Sequence, residues 1–125
     1  MANTILIVTD DSNTAYLLRR YAEESSLQTL NVGTVVEAFP FLATTPVSAV
    51  ILEVKNSSIP ARELLQHLRA HPGLARLPLI VYRWTENGVS DLDPYVSGYL
   101  HRPLLLKEFV AVLEKVGLFS DVVQE

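Results

Sequence analysis

Apolar residues in this chain fall into short unbroken runs, separated by segments in which they recur at a helical spacing. The clearest run is Ala49 to Leu52, closed by one carboxylate, Glu53, and then Val54. It is too short for a helix and too apolar for a loop, and it reads as a strand buried on both faces, as in the middle of a parallel sheet. Thr4 to Thr9 is a second such run and leads into Asp10, Asp11, Ser12 and Asn13, residues that accept hydrogen bonds from the first turn of a helix. Ala15, Leu18 and Ala22 then form an apolar stripe, so a helix is predicted to about Ser25. Thr29 to Val35 reads as a weaker strand broken by Gly33, followed by a short helix from about Val36 that Pro40 disturbs and Thr44-Thr45-Pro46 closes.

Beyond Glu53 a polar loop leads to Pro60, which suits the first turn of a helix whose buried face is Leu64, Leu65 and Leu68. Pro72 and Gly73 end it. Leu79 to Tyr82 is a fourth strand running into Arg83 and Trp84, and Gly98 to His101 a short fifth one before Arg102 and Pro103. The stretch 85–97 carries the weakest pattern, with room for two turns of helix at most. Leu106, Phe109, Val110 and Leu113 mark a last amphipathic helix, over about 105–116, stopped by Gly117. Five strands alternating with helices predict one doubly wound α/β domain over 1–125, a five-stranded parallel sheet between two helical layers with strand order 2-1-3-4-5. That order brings the ends of the first and third strands together, so Asp10, Asp11 and Glu53 should meet in one crevice bordered by Arg83 and Arg102.

Composition narrows the chemistry. The 125 residues hold no cysteine, which removes disulfides, thiolate metal sites and a cysteine nucleophile, and suits a cytoplasmic setting. No apolar stretch is long enough for a membrane span or flanked as a signal would be. The net charge is -4 and the basic residues are scattered, which argues against nucleic-acid binding. Phosphate-loop patterns are absent, and Ser57 and Ser58 have no readable base partner. His67 and His71, four apart on one helix face, lack an evident third metal ligand and read as a solvated pair near a helix C-terminus.

The whole chain resembles the receiver domain of bacterial two-component response regulators, in an atypical, pseudo-receiver form. The residues that carry the likeness are the strand from Ile5 to Val8 leading into acids, the 43-residue step from Asp10 to Glu53, the segment ELLQHLRAHPGLARLPLI at 63–80, and GYLHRPL at 98–104. The resemblance implies the flavodoxin-like (CheY-like) fold and a role in phosphorelay signal transduction. In that family an aspartate ending the third strand accepts a phosphoryl group from a histidine kinase, with Mg²⁺ held by it and by an acidic pair after the first strand. Here Glu53 stands at the acceptor position, and Thr9 replaces one of the acidic pair, leaving Asp10 with Asp11 beside it. Arg83 stands where the family has a hydroxyl residue and Arg102 where it has a lysine. Tyr99 matches the switch aromatic, and Arg102-Pro103 matches a peptide bond that is usually cis. The stretch between Arg83 and Arg102 is about three residues short of the family pattern, which implies a reduced helix there.

An extra methylene moves a carboxylate by more than the roughly 1 Å that in-line displacement tolerates, and Arg83 brings bulk and charge where a hydroxyl would coordinate a phosphoryl oxygen. Phosphorylation of Glu53 is therefore not expected, and neither is an enzymatic activity. The expected function is signalling by binding a protein partner, with homodimerisation as one form of it. Converging carboxylates need a nearby cation, so an ion pair of Glu53 with Arg83 or Arg102 is expected, with Lys55 also in reach. The plainer readings are Asp10 and Asp11 as helix caps, and the two arginines lying over the rings of Trp84 and Tyr99. No cofactor is expected. Two rival readings stay open: a Mg²⁺-dependent phosphoacceptor using Asp10, Asp11 and Glu53 as a weak metal site, and a domain holding a small anion between the arginines.

Overall fold

The structure, a computed structural model, describes residues 3–55, 59–84 and 96–118. Five parallel strands, β1 (Thr4–Val8), β2 (Gln28–Val32), β3 (Ala49–Val54), β4 (Leu79–Arg83) and β5 (Gly98–His101), form one sheet in the order β2-β1-β3-β4-β5, the order expected from the sequence. The described helices are α1 (Ser12–Glu24), α2 (Val35–Thr44), α3 (Ile59–Ala70) and α4 (Leu106–Lys115), with a 3-10 turn at Pro72–Leu74. None is long and apolar enough to cross a membrane. The segment 85–95, where a reduced helix was expected, lies outside the described residues.

The strands form where both faces can be covered. Alternate residues of β1 and β3 feed two cores: Leu6, Val8, Val50, Leu52 and Val54 pack under α2 and α3, while Ile5, Ile7 and Ile51 pack under α1 and α4. The register pairs Glu53 with Tyr82 and Val54 with Arg83, and then Arg83 with His101. Parity along a strand therefore places Glu53 on the α1/α4 face and Arg83 on the α2/α3 face.

Three local expectations change. The second strand stops at Val32, because Gly33 and Thr34 turn to start α2, and Thr34 with Glu37 closes a reciprocal capping box. Helix α2 runs through Pro40 without a break. The missing proline N–H would have bonded to the carbonyl of Val36, a residue 68% exposed, so water can take that acceptor. The buried stripe of α1 is Thr14, Leu18 and Ala22, with Ala15 only half-buried. Gly117 ends the last helix with φ +91, a left-handed conformation that favours glycine.

Candidate functional site

Glu53 is the second-last residue of a strand whose other members are aliphatic, and its side chain is 2% exposed. A buried carboxylate is tolerated only when donors surround it, and three neutral donors do so here. Thr9, just past β1, donates through Oγ1 to Oε1. Thr14, on the sheet-facing stripe of α1, donates to Oε2 at 2.9 Å, and the Trp84 indole Nε1 donates to the same oxygen at 2.7 Å. The Asp11 N–H donates to Thr9 Oγ1 at 3.0 Å, which leaves the Thr9 hydroxyl proton for Glu53.

The cation at this site is Lys55. Its ammonium lies 3.2 Å from Asp10 Oδ1 and 3.9 Å from Glu53 Oε1, so it bridges the two carboxylates. The hydrogen bond to Asp10 raises the Lys55 pKa above its ordinary value, with the charge of Glu53 adding to the effect. The Asp10 side chain is 75% exposed and turned toward this lysine. Asp11 is the N-cap of α1; its Oδ1 accepts from the Thr14 N–H at 3.0 Å, which holds its carboxyl below the usual carboxylate range. Of the three expected acids, Asp10 and Glu53 share the Lys55 ammonium, whereas Asp11 is linked to Glu53 only through the neutral donors of Thr14.

The expected ion pair of Glu53 with Arg83 or Arg102 is not formed. Arg83 emerges on the opposite face of the sheet, where its guanidinium carbon lies 4.3 Å over the Tyr99 ring and its Nε donates to His101 Nδ1 at 3.3 Å. Arg102 shares the Glu53 face, but the Trp84 ring is interposed: the guanidinium carbon is 4.1 Å from the indole centroid while the indole N–H faces Glu53. Lys55 also approaches this ring, at 5.0 Å. Each arginine thus lies on a ring, Arg83 on Tyr99 and Arg102 on Trp84. The Arg102-Pro103 peptide bond is cis. His67, expected to be solvated, instead stacks on Phe39 with ring centroids 4.1 Å apart, and burial lowers its pKa; the His71 ring follows at 4.3 Å with its Nδ1 on the His67 carbonyl.

Beside this cluster a crevice of about 350 Å³ opens between the starts of α2 and α3, floored by Val8, Leu52 and Val54 and reaching Thr9, Asp10, Glu53 and Lys55.

No family model and no curated protein matches the sequence. Solved structures do match in shape. A CheY-like receiver domain from Methylobacillus flagellatus superposes with a TM-score of 0.81 at 19% identity, over 93% of this chain and 99% of that one. The receiver domain of a signal transduction histidine kinase from Syntrophus aciditrophicus gives 0.79 at 24% identity, over 92% and 89%. The receiver domain of a sensor histidine kinase from Pseudomonas aeruginosa PAO1, with a magnesium ion coordinated in its active-site cleft, gives 0.81 at 16% identity, over 94% and 99%. This chain has the receiver fold.

Within that fold the residues present here do not suit a magnesium ion. Mg²⁺ requires near-octahedral oxygen ligands at about 2.0–2.1 Å. The two carboxylates nearest each other already share the Lys55 ammonium, and both oxygens of Glu53 accept hydrogen bonds. Among the described residues no three side chains of metal-binding type are grouped to hold an ion. The role of Thr9, Thr14 and Trp84 as donors to Glu53 was not expected from the sequence, which marked Thr9 only as the replacement of an acid and Trp84 only as a ring beneath an arginine. A hydroxyl on the buried stripe of α1 is the one local signal that pointed to Thr14.

Proposed function

We propose that this chain is a pseudo-receiver: a signalling module with the receiver fold that works by docking a protein partner, without phosphoryl transfer at Glu53. The observation that carries this reading is the state of the Glu53 carboxylate. A nucleophile needs a free lone pair aimed at an open reaction path. Glu53 is buried, both of its oxygens accept hydrogen bonds, and its neighbouring cation is an ammonium fixed to the chain. Thr9 adds to this, since it stands where the resemblance places one of the acids that hold the metal for receiver chemistry and supplies a neutral hydroxyl instead.

The test is incubation of the chain with acetyl phosphate and Mg²⁺, followed by intact mass and by Trp84 fluorescence during a beryllofluoride titration. The expected result is an unmodified mass and no saturable fluorescence change. A phosphoryl adduct, or a Mg²⁺-dependent saturable change lost in Glu53→Gln, would overturn the reading in favour of a working phosphoacceptor. Trp84 is suited to report this, because it is the single tryptophan and its N–H is bonded to Glu53.

A further inference from the structure

We propose that the ends of β4 and β5 form a docking surface for a carboxylate-rich segment of the partner protein, gripped by Arg83 and Arg102. This rests on the docking function above and names the chemistry of the partner. Acids and bases at this end of the sheet are treated unequally. Glu53 is enclosed by donors, Asp10 is held by Lys55, and Asp11 caps α1. The ion pairs there are those of Lys55 with Asp10 and Glu53, so neither guanidinium has a carboxylate partner among the described residues. That is notable in a chain of net charge -4.

A guanidinium lying on an aromatic ring keeps its edge N–H groups free in its own plane. A carboxylate can approach along that plane and form two parallel hydrogen bonds, a geometry that lysine cannot offer. Stacking also restricts the side chain before binding, which lowers the ordering cost of association. Arg83 is held twice, by the Tyr99 ring and by His101 Nδ1, the second through its Nε and not its terminal amino groups. Arg102 is exposed and rests on Trp84.

Strand parity puts the two guanidiniums on opposite faces of the sheet, astride the carboxyl ends of adjacent strands. A lone small anion meets one of them, whereas an extended segment with spaced Asp or Glu side chains crosses the strand ends and meets both. A nucleic acid is disfavoured because its binding is built from many phosphate contacts along a basic stripe, whereas two arginines at the strand ends and otherwise scattered basic residues supply few.

The experiment is a titration of the whole chain at low salt with a blocked tetra-glutamate peptide, followed by Trp84 fluorescence and by calorimetry. The expected result is saturable binding that weakens as salt rises and disappears in Arg83→Gln/Arg102→Gln. Arg83→Lys/Arg102→Lys keeps the charge, removes the planar fork, and should bind several-fold more weakly while its circular dichroism stays that of the parent. The Lys pair therefore tests the site even if the Gln pair fails to fold. Lack of saturable binding by both methods, equal binding of a tetra-lysine peptide, or parent-like affinity in the Lys pair would overturn the proposal. Inorganic phosphate or a short single-stranded oligonucleotide binding as tightly as the peptide would overturn the partner class. A phosphoryl adduct on Glu53 would sink the function proposed above without touching peptide binding, so the two failures are distinguishable.

Discussion

The end of β3 and the ends of β4 and β5 hold charges of opposite sign a strand or two apart, and they are stabilised in different ways. Glu53 is taken out of water and surrounded by hydroxyl and indole donors, with an ammonium 3.9 Å away. Arg83 and Arg102 stay at the surface and lie on aromatic rings. The difference shows that opposite charges at the ends of neighbouring strands do not pair unless strand register brings them to one face. Arg83 is level with Val54, one residue past Glu53, and that single step sends it to the other side of the sheet. Trp84 ties the two regions together, giving its N–H to the acid and its ring to Arg102.

The largest expected effect breaks the acid side of this comparison. Thr9→Val/Thr14→Val leaves the shape intact but strips two hydrogen bonds from a buried carboxylate, and should cost about 3–5 kcal/mol in urea denaturation. Adding Glu53→Met to that background should recover most of the loss, because replacing both partners by apolar groups removes the unsatisfied charge. Failure to recover would mean that the threonines stabilise the fold by some route other than Glu53.

Trp84→Phe separates the two regions, since the ring that carries Arg102 stays while the N–H to Glu53 goes. A loss of about 1.5–3 kcal/mol is expected, the range for a hydrogen bond to a charged group. On the basic side, Arg83→Gln/Arg102→Gln should change stability by no more than about 0.5–1 kcal/mol for each stacking contact, as usual for exposed cation–ring pairs. A basic-side loss larger than that of Trp84→Phe would reverse the comparison.

The smallest effect is a pH dependence. The Asp11 carboxyl is held below its ordinary value chiefly by the Thr14 N–H, so its contribution to stability is fully present above the unfolded value of about 3.9 and is lost as the pH falls through the lower folded value. Denaturation midpoints measured from neutral pH downward should therefore fall less steeply for Asp11→Asn than for the parent over that acid window. Parallel profiles would show that the cap contributes nothing there.

Much of this molecule was legible in the order of its residues. Short aliphatic runs such as Ala49 to Leu52 bury on both faces whatever surrounds them, and the alternation of five such runs with amphipathic stripes leaves few topologies open. Asp11 as a helix cap and Pro60 in the first turn of α3 are likewise local matters, decided by backbone donors within a few residues. The stripe of α1 was legible in period but not in detail, because Thr14 is buried for the sake of a carboxylate 39 positions away.

Residue order alone was therefore enough for the five strands, their order in the sheet, the four described helices, and the end of the sheet at which Glu53, Arg83, Trp84 and Arg102 gather. Their partners were decided only by the tertiary structure. Which charges meet depends on the parity of β3, β4 and β5, on the path of one indole ring, and on whether a neutral donor reaches a buried acid before a distant cation does. Those are differences of one residue or a few ångströms between segments far apart in the chain, and no local pattern encodes them.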